Sequence, residues 1–391
     1  MKTITKSSEL KYFCDRAANE KYITIDTEFH REKTYFSKLC LLQLAIPGNE
    51  NGNAIIVDTL VNDLDLSPLY EIFQNDKIVK VFHAARQDLE IFYLDSGIFP
   101  YPIFDTQIAA MVCGFGDQVA YETLVRQLTK KTLDKSSRFT NWSSRPLTDA
   151  QKKYALSDVT HLRDIYETLS KQLIQNGRTT WVNEELKNLI SPETYDIDPK
   201  NSWQRIKTKS NSRRFLGLVA SLAEFREKFA QSRDIPRNRV IKDDALLELA
   251  SNQPKNLDEL SKSRLIKREA RKGEIALGLL RAIKKGLELP EENLPNKKSK
   301  LDKGLVNSAL ADLLRVLLKS CSESTGVASK LIASASDLDS LAAGERSINA
   351  LHGWRFEVFG KSALELCDSK IGLSVQGNKV KIIKLRSTSE L

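Results

Sequence analysis

The hydrophobic pattern of this chain changes once, near residue 211, and the change limits the architectures that it can adopt. Before it, apolar runs of strand length lie among helical patterns, as in 22–28, 39–45, 54–58 and 78–83. Beyond it, apolar residues recur mainly at helical spacing. Because strands intermixed with helices are typical of α/β domains, we expect one α/β domain followed by all-α domains.

The chain has 391 residues, more than one compact domain usually holds. The segment 290–303, PEENLPNKKSKLDK, has the composition of a linker. The tail 372–385 alternates around Gly377-Asn378, which predicts a possible β-hairpin. Asp243 is predicted to cap the helix that follows it. The expected divisions are a first domain over 1–175, a connecting segment over 176–210, and helical domains over 211–291 and 300–391.

Charge is distributed unevenly along the chain. Residues 201–300 carry 24 Lys and Arg against 13 Asp and Glu, whereas the net charge of the whole chain is +9. A basic domain beside a mildly acidic one favours polyanion binding by the first and metal-assisted chemistry by the second. A solvated, lysine-rich helical surface is an equally good interpretation of the charge alone.

Two classes of protein are excluded by what the sequence lacks. The sequence contains no apolar run of membrane-spanning length and no apolar stretch typical of a secretory signal. Its five cysteines are scattered and never spaced as C-x-x-C, which argues against disulfides or a structural zinc site. We therefore expect a cytoplasmic protein with no membrane partner and no obligate protein partner.

Three separate segments place acidic residues in unusual contexts. Asp26 and Glu28 are two apart at the end of an apolar strand, so they share one face. Asp88 lies in the opening turns of a helix, and Tyr154 and Asp158 are four apart on another helix. Each feature alone is usually surface or packing. Together, in this order, they indicate a carboxylate site for hard divalent ions such as Mg²⁺ or Mn²⁺.

The order D-x-E, D and Y-x-x-x-D resembles the DEDD superfamily of 3′→5′ exonucleases. Tyr154 occupies the position that defines the tyrosine branch, and Lys153 stands where the histidine branch has histidine. Longer strings resemble the ribonuclease D family within that branch. These strings are ITIDTEFHREKTYFSKLCLLQLA (23–45), VFHAARQDLEIF (81–92), FDTQIAA (104–110), TLDKSSRFTNWSSRPLT (132–148) and LTDAQKKYALSDVTHL (147–162).

The helical half carries a second resemblance. The segment 233–260 is similar to the helicase-and-RNase-D C-terminal (HRDC) domain, a small nucleic-acid-binding module, and this implies an HRDC domain over 211–291. Residues 300–391 resemble a second HRDC domain only loosely, mainly through GWRFEVFG (353–360), and the possible hairpin departs from that pattern. The implied fold is a ribonuclease-H-like α/β exonuclease domain with a mixed sheet, followed by all-α HRDC domains.

The resemblance also implies an activity and roles for the acids. It implies removal of 3′-terminal nucleotides as 5′-monophosphates by hydrolysis with two divalent ions, Mg²⁺ or Mn²⁺. Asp26, Glu28 and Asp158 would hold one ion, and Asp26 with Asp88 the other. Tyr154 would orient or deprotonate the attacking water. The expected partners are RNAs, especially tRNA precursors with 3′ extensions and other small RNAs.

Further candidates surround these acids. Thr27, Phe29 and His83 are candidate substrate-binding residues: Phe29 would stack on a terminal base or belong to the core, and His83 would bind substrate or hold a structural hydrogen bond. His30 and Trp142 are expected at the rim or in packing. Basic candidates for RNA phosphates are Arg233, Arg237, Arg239, Lys242, Lys262, Arg264, Lys267, Arg268, Arg271 and Lys272.

Two other functions remain open at this stage. A DNA 3′→5′ exonuclease shares the same acidic motifs, and nothing in them identifies a 2′-hydroxyl. A catalytically silent RNA-binding adaptor is disfavoured because acids are present at all four positions.

Overall fold

The computed structural model describes residues 3–134, 136–138, 140–296 and 307–385. The predicted domain start at residue 300, part of the predicted linker 290–303 and residues 386–391 lie outside the described residues. No helix in the described ranges is long and apolar enough to cross a membrane.

The first domain is built on a mixed six-stranded sheet with the strand order β1-β4-β3-β2-β5-β6. Strand β2 lies near the middle, antiparallel to β3 and parallel to β5. The strands are β1 (Thr3–Ile4), β2 (Tyr22–His30), β3 (Lys38–Ala45), β4 (Ala54–Val57), β5 (Val79–Phe82) and β6 (Ile103–Asp105).

Helices cover this sheet and bury its apolar side chains. The main core joins Ile23 and Ile25 of β2 to Leu89 and Phe92, and it extends to Val182. The helices are α1 (Ser7–Ala17), α2 (Ser67–Gln74), α3 (Arg86–Ser96), α4 (Thr106–Val112), α5 (Tyr121–Leu124), α6 (Asp149–Gln175) and α7 (Thr179–Leu189), with a π-helical turn at Val125–Thr129.

A second core belongs to an all-helical unit. Leu218, Leu222 and Leu249 are fully buried there, and Gly278 lies so close to Phe225 that a β-carbon would clash with the ring. A 3₁₀ segment, Pro199–Arg205, precedes this unit. The helices are α8 (Arg213–Ser232), α9 (Arg237–Val240), α10 (Asp243–Asn252), α11 (Leu257–Ser261) and α12 (Gly273–Leu287).

Asp243 does not cap α10, contrary to the sequence-based prediction. Lys242 is the N-cap residue and contributes no side-chain cap, while Asp243 begins the helix itself. The Asp243 carboxylate instead accepts a 2.6 Å hydrogen bond from Nη1 of Arg226. A local capping pattern is overridden here by an ion pair with a residue of the preceding long helix.

A third core joins the last helices to a terminal hairpin. Leu314, Trp354 and Phe359 are buried, and Ile371 extends this core into the hairpin. The strands β7 (Ile371–Gln376) and β8 (Lys379–Lys384) pair antiparallel around Gly377, which has φ +65°. The helices are α13 (Ser308–Thr325), α14 (Ser329–Ile332), α15 (Ala335–Ala342), α16 (Gly353–Arg355) and α17 (Lys361–Cys367), with a π-helical turn at Phe356–Gly360.

Both helical units contact the first domain through buried side chains. Tyr35, from the segment after β2, is buried in the second core, and its hydroxyl donates to Glu227. Trp354 stacks on Trp181 of α7 with ring centroids 4.9 Å apart, and its indole N–H donates to Glu185. The helical units are thereby held against the domain that carries the acidic motifs.

Candidate active site

Parallel strands bring separate acidic motifs to one edge of the sheet. Asp26 and Glu28 lie near the carboxyl end of β2, and His83 follows the carboxyl end of the parallel strand β5. The β2–β3 pairing has a bulge between Glu28 and Phe29, so Glu28 pairs with Leu41 and Phe29 with Leu39. This edge is where open α/β sheets usually place a site.

Three of the predicted acids converge on one point. Carboxylate oxygens of Asp26, Glu28 and Asp158 all lie within 4.8 Å of one another. Each side chain is only partly exposed. Like charges this close repel unless protons or cations neutralise them, so the arrangement fits a divalent cation held by hard oxygen ligands.

Asp88 lies beside this trio rather than inside it. It occupies the first turn of α3, is 7% exposed, and accepts a hydrogen bond from the hydroxyl of Thr27. Burial and the nearby Asp26 raise its pKa, while the Thr27 hydrogen bond acts in the opposite direction. Asp88 therefore adjoins Asp26 without belonging to the trio.

Burial and mutual repulsion raise the pKa values of the converging acids. Burial raises the pKa of Glu28 from 4.5 to about 10, with further contributions from Asp26, Asp158 and Asp88. Burial also raises the pKa of Asp158 to about 7, although the Tyr154 hydroxyl lowers it through a hydrogen bond. The pKa of Asp26 is raised well above its usual value by burial and by Asp158. These shifts are typical of a functional cluster.

Helix α6 is fixed so that Asp158 faces β2. The capping box predicted for Thr148 and Gln151 opens this helix. The hydroxyl of Thr24 donates to the carbonyl of Val159 at 2.9 Å, which joins β2 directly to the helix turn that carries Asp158. The hydroxyl of Tyr121 donates to the Asp158 carbonyl at 2.7 Å.

Tyr154 lies one turn before Asp158 and borders the same acids. Burial raises its pKa above 10, and Asp158, Glu28 and Asp26 raise it further. Its ring lies 6.0 Å from that of Trp142, which is 5% exposed and packs with Leu41 and Leu147. The neutral phenol is therefore the form present near neutral pH, suited to orienting a hydrogen-bonded water.

The predicted site residues line one open cleft of about 650 Å³. The four acids and Tyr154 border it, as do Thr27, Phe29 and His83. His83 Nδ1 lies 3.0 Å from the Thr106 hydroxyl, its ring is 5.3 Å from that of Tyr121, and burial lowers its pKa. His83 thus has structural contacts while bordering the cleft. His30 and Trp142 are not among the residues that line it.

Sequence reasoning missed three residues that shape the cleft. Tyr121 and Arg138 line it, and Arg138 lowers the pKa values of Asp158 and Tyr154. Asp105 accepts the backbone N–H groups of Ala84, at 3.1 Å, and Ala85, at 2.8 Å, which fixes the turn leading to α3. Asp105 also caps α4. The sequence offers Arg138 only as one of several basic residues in a polar loop, and it offers no signal for Tyr121.

The raised pKa values predict that divalent cations stabilise the protein more as pH rises. In the cation-free fold Glu28 carries a proton up to about pH 10 and Asp158 up to about pH 7, so cation binding releases protons below those values. The pKa values of these acids are higher in the folded protein than in the unfolded chain. The acids therefore lower the free energy of unfolding of the cation-free protein progressively as the pH rises from about 4 towards 10. We expect the melting-temperature increase caused by Mn²⁺ to grow between about pH 6 and about pH 9.

Differential scanning calorimetry with Mn²⁺ or excess chelator measures this effect. The double variant Glu28→Gln/Asp158→Asn keeps the side-chain shapes. Mn²⁺ should raise its melting temperature only slightly at every pH. A wild-type increase that is independent of pH would contradict proton release from these acids.

Comparison with known proteins agrees with this geometry. A 3′-5′ exonuclease family model matches residues 1–174, and an HRDC domain model matches residues 215–283. Ribonuclease D of Jannaschia sp. (strain CCS1) is 55% identical over 98% of this chain and 99% of that protein. Ribonuclease D of Granulibacter bethesdensis is 47% identical over 97% of this chain and 96% of that protein.

A solved structure matches over the same extent. The crystal structure of Escherichia coli RNase D, described as an exoribonuclease involved in structured RNA processing, aligns with a TM-score of 0.81. It is 28% identical to this chain and covers 94% of it and 98% of the E. coli chain. The similarity therefore extends through the helical units as well as the sheet domain.

Proposed function

This chain belongs to the ribonuclease D family and is a 3′→5′ exoribonuclease, and from that premise we propose that it matures the 3′ ends of tRNA precursors and trims other small RNAs. The proposed reaction removes terminal nucleotides one at a time as 5′-monophosphates. The observation that supports this reaction is that carboxylate oxygens of Asp26, Glu28 and Asp158 lie within 4.8 Å of one another. The proposed compartment is the cytoplasm, with which five free cysteines agree.

Family membership implies divalent metal ions, and we propose two, Mg²⁺ or Mn²⁺. Asp26, Glu28 and Asp158 would hold one ion, while Asp26 and Asp88 would hold the other. The fit is chemical: four buried or half-buried carboxylates face each other, and the described residues that line the cleft include one Arg and no Lys to neutralise them. Two ions held there would supply Lewis acidity at the scissile phosphate and neutralise the leaving oxygen.

The side chains of the cleft supply positioning. Tyr154 orients the attacking water, because its hydroxyl adjoins Asp158 and its raised pKa keeps it protonated. Phe29 offers an apolar face for the terminal base, and Thr27 holds Asp88 in place. Arg138, at the same cleft, supplies a positive charge for the incoming phosphate.

The helical units provide sequence-independent contacts to RNA in this proposal. Arg264, Lys267 and Arg268 are exposed, as phosphate contacts must be. Arg271 is instead used structurally, because its guanidinium donates to the carbonyls of Ile266 and Ser263. We also propose that the domains span residues 1–175, 211–291 and 300–391.

A matched pair of substrates tests the proposed function. A tRNA with a 3′ extension and a single-stranded DNA with the same terminal sequence are incubated with Mg²⁺ or Mn²⁺. We expect the RNA to shorten stepwise from its 3′ end and to release 5′-mononucleotides, and we expect no reaction in excess chelator. Internal cleavage, or faster digestion of the DNA, would contradict the proposal and would favour the alternative of a DNA exonuclease.

A further inference from the structure

A second pocket, lined by arginines, lies where the sheet domain meets the first helical unit. It measures about 340 Å³ and is open to solvent. Arg31 comes from the sheet domain, and Arg226 and Arg237 come from the helical unit; the pocket's other charged residues are Arg205 and Asp243. We call this the interdomain arginine pocket.

The carboxylates around this pocket balance only part of its positive charge. Arg31 pairs with Glu90 at 3.0 Å, Arg226 with Asp243 at 2.6 Å, and Arg237 with Glu227 at 3.7 Å. Arg205 is exposed and has no ion pair or hydrogen-bond partner for its side chain within the described residues. The four guanidinium groups of the pocket thus have three carboxylate partners, and the surplus of positive charge favours an anion.

Arg226 gives an independent indication of a ligand. Its side chain is 5% exposed. Its Nη1 donates to Asp243 and to the Ile241 carbonyl, but its Nε has no hydrogen-bond acceptor among the described residues. A buried donor left without an acceptor is costly, about 1–3 kcal/mol in general. Arg226 thus lines the pocket with a guanidinium group whose hydrogen-bonding capacity the protein leaves partly unused.

The pocket is adjacent to the active-site cleft along a single strand. Phe29, at the end of β2, lines the cleft, and Arg31, two residues later, lines the interdomain arginine pocket. Arg31 is the third residue after Glu28, which corresponds to roughly 10 Å of extended chain. One strand of RNA with its 3′ end at the acids is long enough to reach both places.

We propose that the interdomain arginine pocket binds a backbone phosphate of the RNA strand, upstream of the 3′-terminal nucleotide held at the acids. This inference rests on the proposed function. Arginine suits the role because it stays charged and its planar fork matches phosphate oxygens. The contact carries no sequence information, and it sets how much RNA must extend from the cleft for full affinity.

Arg205→Ala tests the proposal with little risk to the fold, because the side chain is exposed and unpaired among the described residues. Arg281→Ala is the matched control: Arg281 is exposed on α12, does not line the pocket and has the same charge. Binding of fluorescent single-stranded RNA is measured by anisotropy in excess chelator, which prevents hydrolysis. A dinucleotide and an oligonucleotide of roughly ten nucleotides are compared across salt concentrations.

We expect Arg205→Ala to weaken binding of the longer RNA roughly three- to tenfold and to leave the dinucleotide unaffected. The slope of log affinity against log salt should become shallower by about 0.7, one phosphate contact on a single strand. Arg281→Ala should change neither quantity. Equal affinities and slopes for the two variants would overturn the proposal.

Two further outcomes separate this inference from its premise. If nucleoside monophosphate binds in an Arg205-dependent way while the longer RNA does not, the pocket holds a free nucleotide and the proposal is wrong. If the longer RNA binds through Arg205 but is not shortened when Mg²⁺ or Mn²⁺ is added, the proposed function fails and the pocket remains a phosphate site.

Discussion

Asp26→Ala is expected to lower the rate of RNA hydrolysis by at least about 10³-fold, because it removes the carboxylate proposed to serve both cation positions. Asp26 lies between the other acids: its carboxylate is within 4.8 Å of those of Glu28 and Asp158, and it also raises the pKa of Asp88. None of the remaining acids can replace a ligand in that central place. The measurement is single-turnover digestion of 3′-extended RNA with saturating Mg²⁺ or Mn²⁺.

Stability and binding measurements separate loss of chemistry from loss of fold. Asp26→Asn keeps the shape of the side chain and removes its charge, so repulsion within the cluster falls. We expect its melting temperature in chelator to equal or exceed that of the wild type, with RNA affinity little changed. Asp15→Ala is a matched control, because Asp15 is 62% exposed on α1 and, among the residues that the structure describes, forms an ion pair only with Lys11. If the wild type hydrolysed RNA in excess chelator, the proposal that divalent cations assist the reaction would be wrong.

Local periodicity was sufficient to place most of the candidate acids on the faces where the structure has them. Alternation along a strand puts Asp26 and Glu28 on one face, and helical spacing puts Tyr154 and Asp158 on another. The capping pattern at Thr148 gave the start of α6 correctly because its partners are three residues apart. Such signals depend on neighbours in the sequence, which is why sequence reasoning reaches them.

Contacts between distant segments were not predictable in the same way. The Thr27–Asp88 hydrogen bond joins residues 61 apart, and Tyr121 donates to a carbonyl 37 residues away. No local pattern marks either contact. Long-range packing also explains the wrong cap at Asp243, because the ion pair with Arg226 determines where that carboxylate points.

The attachment of the helical unit to the sheet domain also depends on contacts between distant segments. The backbone N–H groups of Tyr35 and Phe36 donate to Asp234 at 2.9 and 3.0 Å, so the segment after β2 is bound by the helical unit. Asp26, Glu28 and this anchor belong to one continuous stretch of chain. A change in how the helical unit binds RNA therefore acts close to the strand that positions Asp26.

Tyr154→Phe is expected to lower the rate of hydrolysis by roughly 10²–10⁴ while leaving RNA affinity nearly unchanged. The hydroxyl adjoins Asp158, and burial beside three acids keeps its pKa raised, so the contribution that we propose for it is to orient the attacking water. The ring stays in place against Trp142, because phenylalanine retains the same packing surface. The defect should therefore appear in turnover and not in cation or RNA binding.

Tyr166→Phe provides the matched control, since it removes a hydroxyl from the same helix at a residue that packs against Tyr22 and does not line the cleft. Single-turnover rates and melting temperatures are measured together for both variants. If Tyr154 served only packing, its loss would appear as destabilisation of about 1–3 kcal/mol at most, with a rate that follows the folded fraction. A normal rate, or a rate loss explained fully by unfolding, would leave the four carboxylates as the whole of the catalytic site.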